Sequence, residues 1–165
     1  MDDRDVWRIA RKPYALDRLG VGARDAGGRW NHPGTGVIYT GCTIAIAALE
    51  KFVHLAGVVP ADLVLVRVVL PAGFSAERPG LKNLPKDWDL VPPGIGSMDF
   101  GTQWAKAVRT LVLYVPSALL PEETDAVINP NHPEFSGVKM KIERPFTFDS
   151  RMHKTREMPA AKKKT

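Results

Sequence analysis

Apolar and polar positions alternate with two periods along the chain, and each period predicts a different kind of element. DVWRIA (residues 5–10) is compatible with a short first strand. VIYT (37–40) predicts a second, with Val37 and Tyr39 on one face and Ile38 and Thr40 on the other. TIAIAALEKFVHLAG (43–57) predicts a helix, with Thr43 (or the neighbouring Cys42) as its cap and Gly57 as its stop. That helix is apolar nearly all round, through Ile44, Ile46, Leu49, Phe52, Val53 and Leu55, which is the pattern of a buried one. DLVLVRVVL (62–70) is rich in branched apolar residues and predicts a central strand, and TLVLYVP (110–116) another buried one. DAVINPNHPEF (125–135) reads as a short strand and a proline-punctuated turn. VKMKIERPFTFD (138–149) alternates Val138, Met140 and Ile142 with Lys139, Lys141 and Glu143, a half-exposed strand broken at Pro145.

Residues 71–101 behave differently. They hold five prolines and five glycines around LPKDWD and predict a long irregular stretch, of the kind that is usually functional or mobile. GTQWAKAV (101–108) predicts a short helix after it. Helix and strand are mixed, with hairpin-like spacing late in the chain and no internal repeat or linker. The expectation is a single α+β domain rather than a doubly wound sheet.

Composition narrows the picture. A chain of 165 residues fits one domain with a sizeable core. A single cysteine, Cys42, excludes an internal disulfide and fits a reducing cytosol. The opening MDDRDVWRIARKPYALD is charged throughout and is no secretory signal. The longest stretch free of Lys, Arg, Asp and Glu, 30–49, contains Pro33 and three glycines, so no membrane helix is expected and the location expected is cytoplasmic. A net charge of +5 suggests nucleic-acid binding until its distribution is read. Residues 151–165 carry six Lys/Arg against one Glu, which leaves 17 basic and 17 acidic residues in 1–150. The division expected is therefore a neutral domain over 1–150 and a basic, disordered tail over 151–165. The tail is read as solubilising, with contact to nucleic acid or an acidic partner as the alternative.

Candidate chemistry sits on a few residues. Glu50 shares a helix face with Ile46, Val53 and His54; a carboxylate there is costly unless paired or used. The plain alternative is a surface pair with His54 or Lys51. Arg29 follows a Gly-Gly pair in GGRWNHPGTGVIYTG (27–41), where glycines let backbone approach a ligand and an arginine fork suits phosphate or carboxylate. The alternative is an arginine that bonds loop carbonyls. The segment is neither a Walker loop, lacking Gly-Lys-Ser/Thr, nor a dinucleotide fingerprint, because its glycines precede a strand. Tyr39 is a core aromatic or a stacking platform. Ser117 at a strand end is a turn or cap serine on its own sequence, with no nucleophile elbow around it. His32, His54 and His132 show no metal-ligand spacing with Cys42, so no metal is expected.

Taken in order, GGRWNHPGTGVIYTG, AIAALEKFVH, DLVLVRVVLP, LPKDWD, GTQWAKA, LYVPSALLPEE and INPNHPEF resemble the RES-domain family. The resemblance runs from about residue 5 to 150, and its motifs are specific in combination though not singly. The family takes its name from an arginine, a glutamate and a serine, which here match Arg29, Glu50 and Ser117. One departure is Asp125 in ETDAVINP, where the family pattern leads one to expect an asparagine; only local packing is expected to feel it.

The resemblance implies a fold like that of the diphtheria-type ADP-ribosyltransferases. It also implies a bacterial toxin paired with an Xre-type antitoxin, acting on NAD+ either by destroying it or by moving its ADP-ribose onto a target protein. Arg29, Tyr39 and Glu50 match the family residues that line the NAD+ site. Breaking the nicotinamide–ribose bond builds positive charge on the ribose, which a fixed carboxylate in a dry site stabilises. Glu50 is expected in that role. Arg29 is expected to hold a phosphate or the ribose, Tyr39 to wall the nicotinamide ring, and Ser117 to bond the nicotinamide amide or hold Glu50. His54 is a candidate supporting partner of Glu50. The resemblance requires no metal and no membrane, and nucleic acid enters only through the antitoxin. Two weaker readings are a non-catalytic or tail-driven nucleic-acid module, and 2′-phosphate transfer from RNA.

Overall fold

The computed structural model describes residues 5–153. A seven-stranded sheet organises them, with strands β1 (Asp5–Arg11), β2 (Ile38–Gly41), β3 (Leu63–Val69), β4 (Ala76–Glu77), β5 (Val112–Pro116), β6 (Thr124–Ile128) and β7 (Lys139–Pro145). Their order across the sheet is β4-β5-β6-β2-β1-β3-β7. Neighbours run antiparallel except β4 and β5, which are parallel, so the sheet is mixed and the α+β expectation holds. The helices are α1 (Val21–Ala26), α2 (Ile44–Val53) and α3 (Ile95–Lys106).

Period-two alternation divides the core between the two sheet faces. Val6, Ala10, Val64, Val66, Val112, Ala126 and Ile128 face one side, where Ala15, Leu70, Phe135 and Val138 close over them. Their neighbours in sequence face the other side in two groups. Leu113, Val115 and Val127 pack with Trp30, Trp104 and Ala105, which places α3 and the glycine-rich loop over β5 and β6. Trp7, Ile9, Leu63 and Leu65 pack with Ala47 and Phe148, which places α2 over β1 and β3. The edge strand β7 alternates exposed lysines with half-buried Met140 and Ile142 and ends at Pro145, as its pattern predicts.

Four features differ from expectation, on α2, α3 and β4. Helix α2 is capped by Thr43, whose hydroxyl accepts the Ile46 N–H at 3.2 Å, as predicted. It ends at Val53, with Gly57 in a separate left-handed turn beyond it. It is also buried along one face only, at Ile46 and Ala47, whereas Ala45 and Val53 are exposed. Alanines at successive positions read as apolar all round, but they carry too little surface to require cover. Helix α3 begins at Ile95, six positions before the predicted start, because residues 95–100 bury only Ser97 and so show no apolar period. The Asp87 carboxylate accepts the Gly96 N–H at 2.9 Å and so satisfies one donor of its first turn. The two-residue strand β4 also lies within the stretch read as irregular.

Strands β1 and β2 meet at a single pair, Trp7 with Gly41, while β1 follows β3 from Asp5 to Arg11. A Cβ on Gly41 would lie 2.6 Å from Ile46 Cγ2 and 2.7 Å from Ala47 N. Only a glycine lets α2 sit this close over the junction. Of the tail predicted over 151–165, a short 3-10 turn at Ser150–Met152 and His153 are described; the rest lies outside the described residues.

Candidate active site

Gly41 pairs with Asp125 across β2 and β6, and Asp125 pairs in turn with Val115 of β5. Paired residues share a sheet face, so Asp125 lies on the side that carries α2. One helical turn beyond Ile46, which covers Gly41, α2 presents Glu50. The Ser117 hydroxyl, fully buried after β5, donates to Glu50 Oε1 at 2.7 Å. Its oxygen also accepts the Leu119 and Leu120 N–H groups, at 3.1 and 3.3 Å. Ser117 is thus both the turn serine and the residue that holds Glu50; the two sequence readings are compatible.

Asp125 is a site residue that sequence reasoning missed. Its carboxyl is hydrogen-bonded to the Glu50 side chain. Burial, then the charge of Glu50 and that hydrogen bond, push it up to about 8, against the pull of Arg29. The departure expected to affect only local packing therefore falls at Glu50 itself. The signal was present as an acidic residue in an otherwise apolar strand, but its partner lies on another element.

The glycine-rich loop supplies the other half. The Tyr39 hydroxyl donates to Asn31 Oδ1 at 2.7 Å and accepts the Trp30 N–H at 2.9 Å. Burial pushes its phenol well above the usual tyrosine range. A Cβ on Gly28 would come within 2.7 Å of that hydroxyl, so the loop closes on Tyr39 only where a side chain is missing. Asn31 is fully buried and ties the loop to Ala23 and Thr35 through its amide. Trp30, 2% exposed, packs edge-on to Phe100 and anchors the loop as expected. Arg29 is therefore presented by a rigid frame. Its Nη1 donates to the carbonyls of Trp88 (2.8 Å) and Leu90 (2.7 Å), within the long 71–101 stretch. The loop-carbonyl alternative for Arg29 is what this structure displays.

His54 is exposed, and its Nδ1 lies 2.6 Å from the Glu50 main-chain oxygen rather than its carboxylate. The structure thus brings Glu50, Ser117 and Asp125 together, sets Arg29 and Tyr39 alongside, and leaves His54 at the helix end. Arg8 was also missed. It is mostly buried in β1, which lowers its pKa, and its guanidinium makes no hydrogen bond or ion pair with another described residue. Asp17 attracts it, while Lys51 of α2 feels both Arg8 and Arg11 as like charges. A desolvated guanidinium beside the β1–β2 junction, with no hydrogen-bond partner among the described residues, is suited to an anionic group.

Two apolar grooves lie elsewhere. Grooves of about 400 and 260 Å³ flank the outer face of α2, lined by apolar residues such as Val53, Leu49, Leu120 and Met152. They offer little polar chemistry, so the site is placed by its charged groups rather than by volume. Among the described residues, no group of three or more His, Cys, Asp or Glu could hold a metal ion, and no helix is long and apolar enough to cross a membrane.

A comparison with family models matches the RES domain over residues 5–149. The chain belongs to the RES-domain family. A relative from a Sphingobium species, "Prs ADP-ribosylating toxin", is 43% identical over 154 residues, covering 88% of this chain and 94% of its own. "Toxin Res" from Yersinia enterocolitica is 31% identical over 151 residues, covering 89% and 98%. Among solved structures, the M. tuberculosis MbcT–MbcA toxin–antitoxin complex contains a chain of the same fold, with a TM-score of 0.65, 17% identity and coverage of 84% and 81%. For this RES-domain chain the family arginine, glutamate and serine are expected at Arg29, Glu50 and Ser117, and the last two are in direct contact.

Proposed function

We propose that this RES-domain protein is a cytoplasmic toxin of a toxin–antitoxin pair that consumes NAD+ by breaking its nicotinamide–ribose bond. The observation that carries the reading is the Glu50 carboxylate, held by Ser117 and Asp125 beside the arginine-bearing loop. In the reaction the C1′–N bond breaks with its electron pair going to the ring nitrogen, so nicotinamide leaves neutral and C1′ becomes positive. A carboxylate already fixed nearby stabilises that charge without reorganising. The acceptor oxygen then adds to C1′ and gives up its proton, for which Glu50 is the nearest base. Tyr39 supplies a flat apolar ring beside the site. Arg29, released from the Trp88 and Leu90 carbonyls, and Arg8, which bonds no other described residue, are the cations for the diphosphate. NAD+ is the substrate, and no metal enters the scheme.

Water or phosphate as acceptor gives NAD+ degradation. A protein side chain as acceptor gives ADP-ribosylation, and the name of the 43% identical relative favours this second reading. An antitoxin, of the Xre type expected for the family, silences the protein by covering the surface around Arg29. Purified protein, freed of antitoxin, is incubated with NAD+ and products are identified by mass spectrometry, with one arm containing phosphate and one a cell extract. The expected result is nicotinamide release, lost at least about tenfold in Glu50→Gln. Absence of release from the wild type would sink both readings; a fully active Glu50→Gln would sink the site.

A further inference from the structure

We propose that Asp125 is a positioning residue for Glu50, a protonated partner whose O–H donates to the Glu50 carboxylate and fixes it together with Ser117. The inference rests on the reading of Glu50 given above. Asp125 is held opposite Gly41 and Val115 in β6, and the missing side chain at Gly41 lets α2 descend until Glu50 reaches it. Two carboxyl groups hydrogen-bonded to each other must share one proton, because two anions in contact repel. The Ser117 hydroxyl hydrogen is directed at Glu50 Oε1, since its oxygen is occupied by the Leu119 and Leu120 N–H groups. With Asp125 as second donor, the pair carries one negative charge and the Glu50 carboxylate is fixed by two hydrogen bonds.

The surroundings agree. Glu50 on α2 and Glu123 ahead of β6 disfavour ionisation of Asp125, and Arg29 on the glycine-rich loop favours it. Tyr39 of β2 and Cys42 just after it both feel the Asp125 charge; burial keeps both protonated, with the Cys42 thiol pushed up to about 11 and Arg78 opposing. Burial ranks first among the influences on Asp125 and places its proton loss at about pH 8. Above that, the two carboxylates repel and Glu50 leaves its place. The sign for stability follows. Native Asp125 retains a proton that the unfolded chain has already released, so stability declines as pH rises from the ordinary carboxylate range to about 8. Asparagine at 125 supplies an N–H donor that does not titrate.

The test measures nicotinamide release from NAD+ between about pH 5 and 10 for wild type, Asp125→Asn and Asp125→Ala. Alongside it runs a ¹³C NMR titration of protein labelled at aspartate carboxyls. Wild-type kcat is expected to fall above about pH 8. Asp125→Asn is expected to stay within about threefold at neutral pH and to lose the alkaline fall. Asp125→Ala is expected to lose about tenfold in kcat with KM little changed. One aspartate carbon should titrate near 8, vanish in Asp125→Asn and move down in Glu50→Gln. An unchanged alkaline limb in Asp125→Asn, a folded Asp125→Asn that loses more than about tenfold at neutral pH, or no aspartate titrating above about pH 6 would overturn the proposal. Absence of nicotinamide release by the wild type would instead refute the functional reading, and the NMR titration would still decide the pair.

Discussion

The two halves of the candidate site are held in different ways. Glu50, Ser117 and Asp125 come from a helix, a strand end and a strand, and they bond one another through side chains. Arg29 comes from a loop whose frame is fixed by Tyr39 and Asn31, yet its own hydrogen bonds go to main-chain carbonyls of another loop. The carboxylate half is complete before any ligand arrives. The arginine half must exchange partners, giving up Trp88 and Leu90 to meet a phosphate. Preset charge acts on the barrier, whereas exchangeable contacts act on binding and on loop position.

Substitutions should separate the halves along that line. Arg29→Ala removes a charge-assisted contact of about 1.5–3 kcal/mol, so kcat/KM is expected to fall roughly tenfold to a hundredfold, mostly through KM. Amide exchange over 84–95 should also speed up, because the anchor of Trp88 and Leu90 is lost. A pure kcat effect with unchanged exchange would break the comparison. Ser117→Ala is expected to act the other way, lowering kcat several-fold to tenfold at nearly constant KM. It also leaves the Leu119 and Leu120 N–H groups unpaired, costing about 1–3 kcal/mol of stability in a denaturant melt. The smallest effect is expected from deleting residues 154–165, with unchanged nicotinamide release. Nucleic-acid binding that disappears on deletion would instead assign the tail a role.

Much of this was legible in the chain and some was not, for definable reasons. Strands β3 and β5 announced themselves by branched apolar runs, and the Thr43 cap by its place before the helical period. Glu50 and Ser117 were legible as matches to the family pattern, and the structure supplies their contact, 67 positions apart. Asp125 was visible but not interpretable, because its burial under α2 and its partner Glu50 on that helix arise only in the folded chain. Arg8 hid inside an apolar alternation that explained β1 without it. The first half of α3 was hidden because Ser97 is its buried residue, which leaves no apolar period to read. The reach of Arg29 into the 71–101 stretch is a contact between two loops, which no periodicity encodes.

The single pair between Trp7 and Gly41 has a mechanical consequence. It divides the sheet into a β1-β3-β7 part and a β2-β6-β5-β4 part, sewn together by one stitch and the helix laid across it. Arg8 lies on one side of that seam; Arg29, Tyr39 and Asp125 lie on the other. A dinucleotide bound to both sides would act as mortar, and the domain would resist heat in proportion to how much ligand is present.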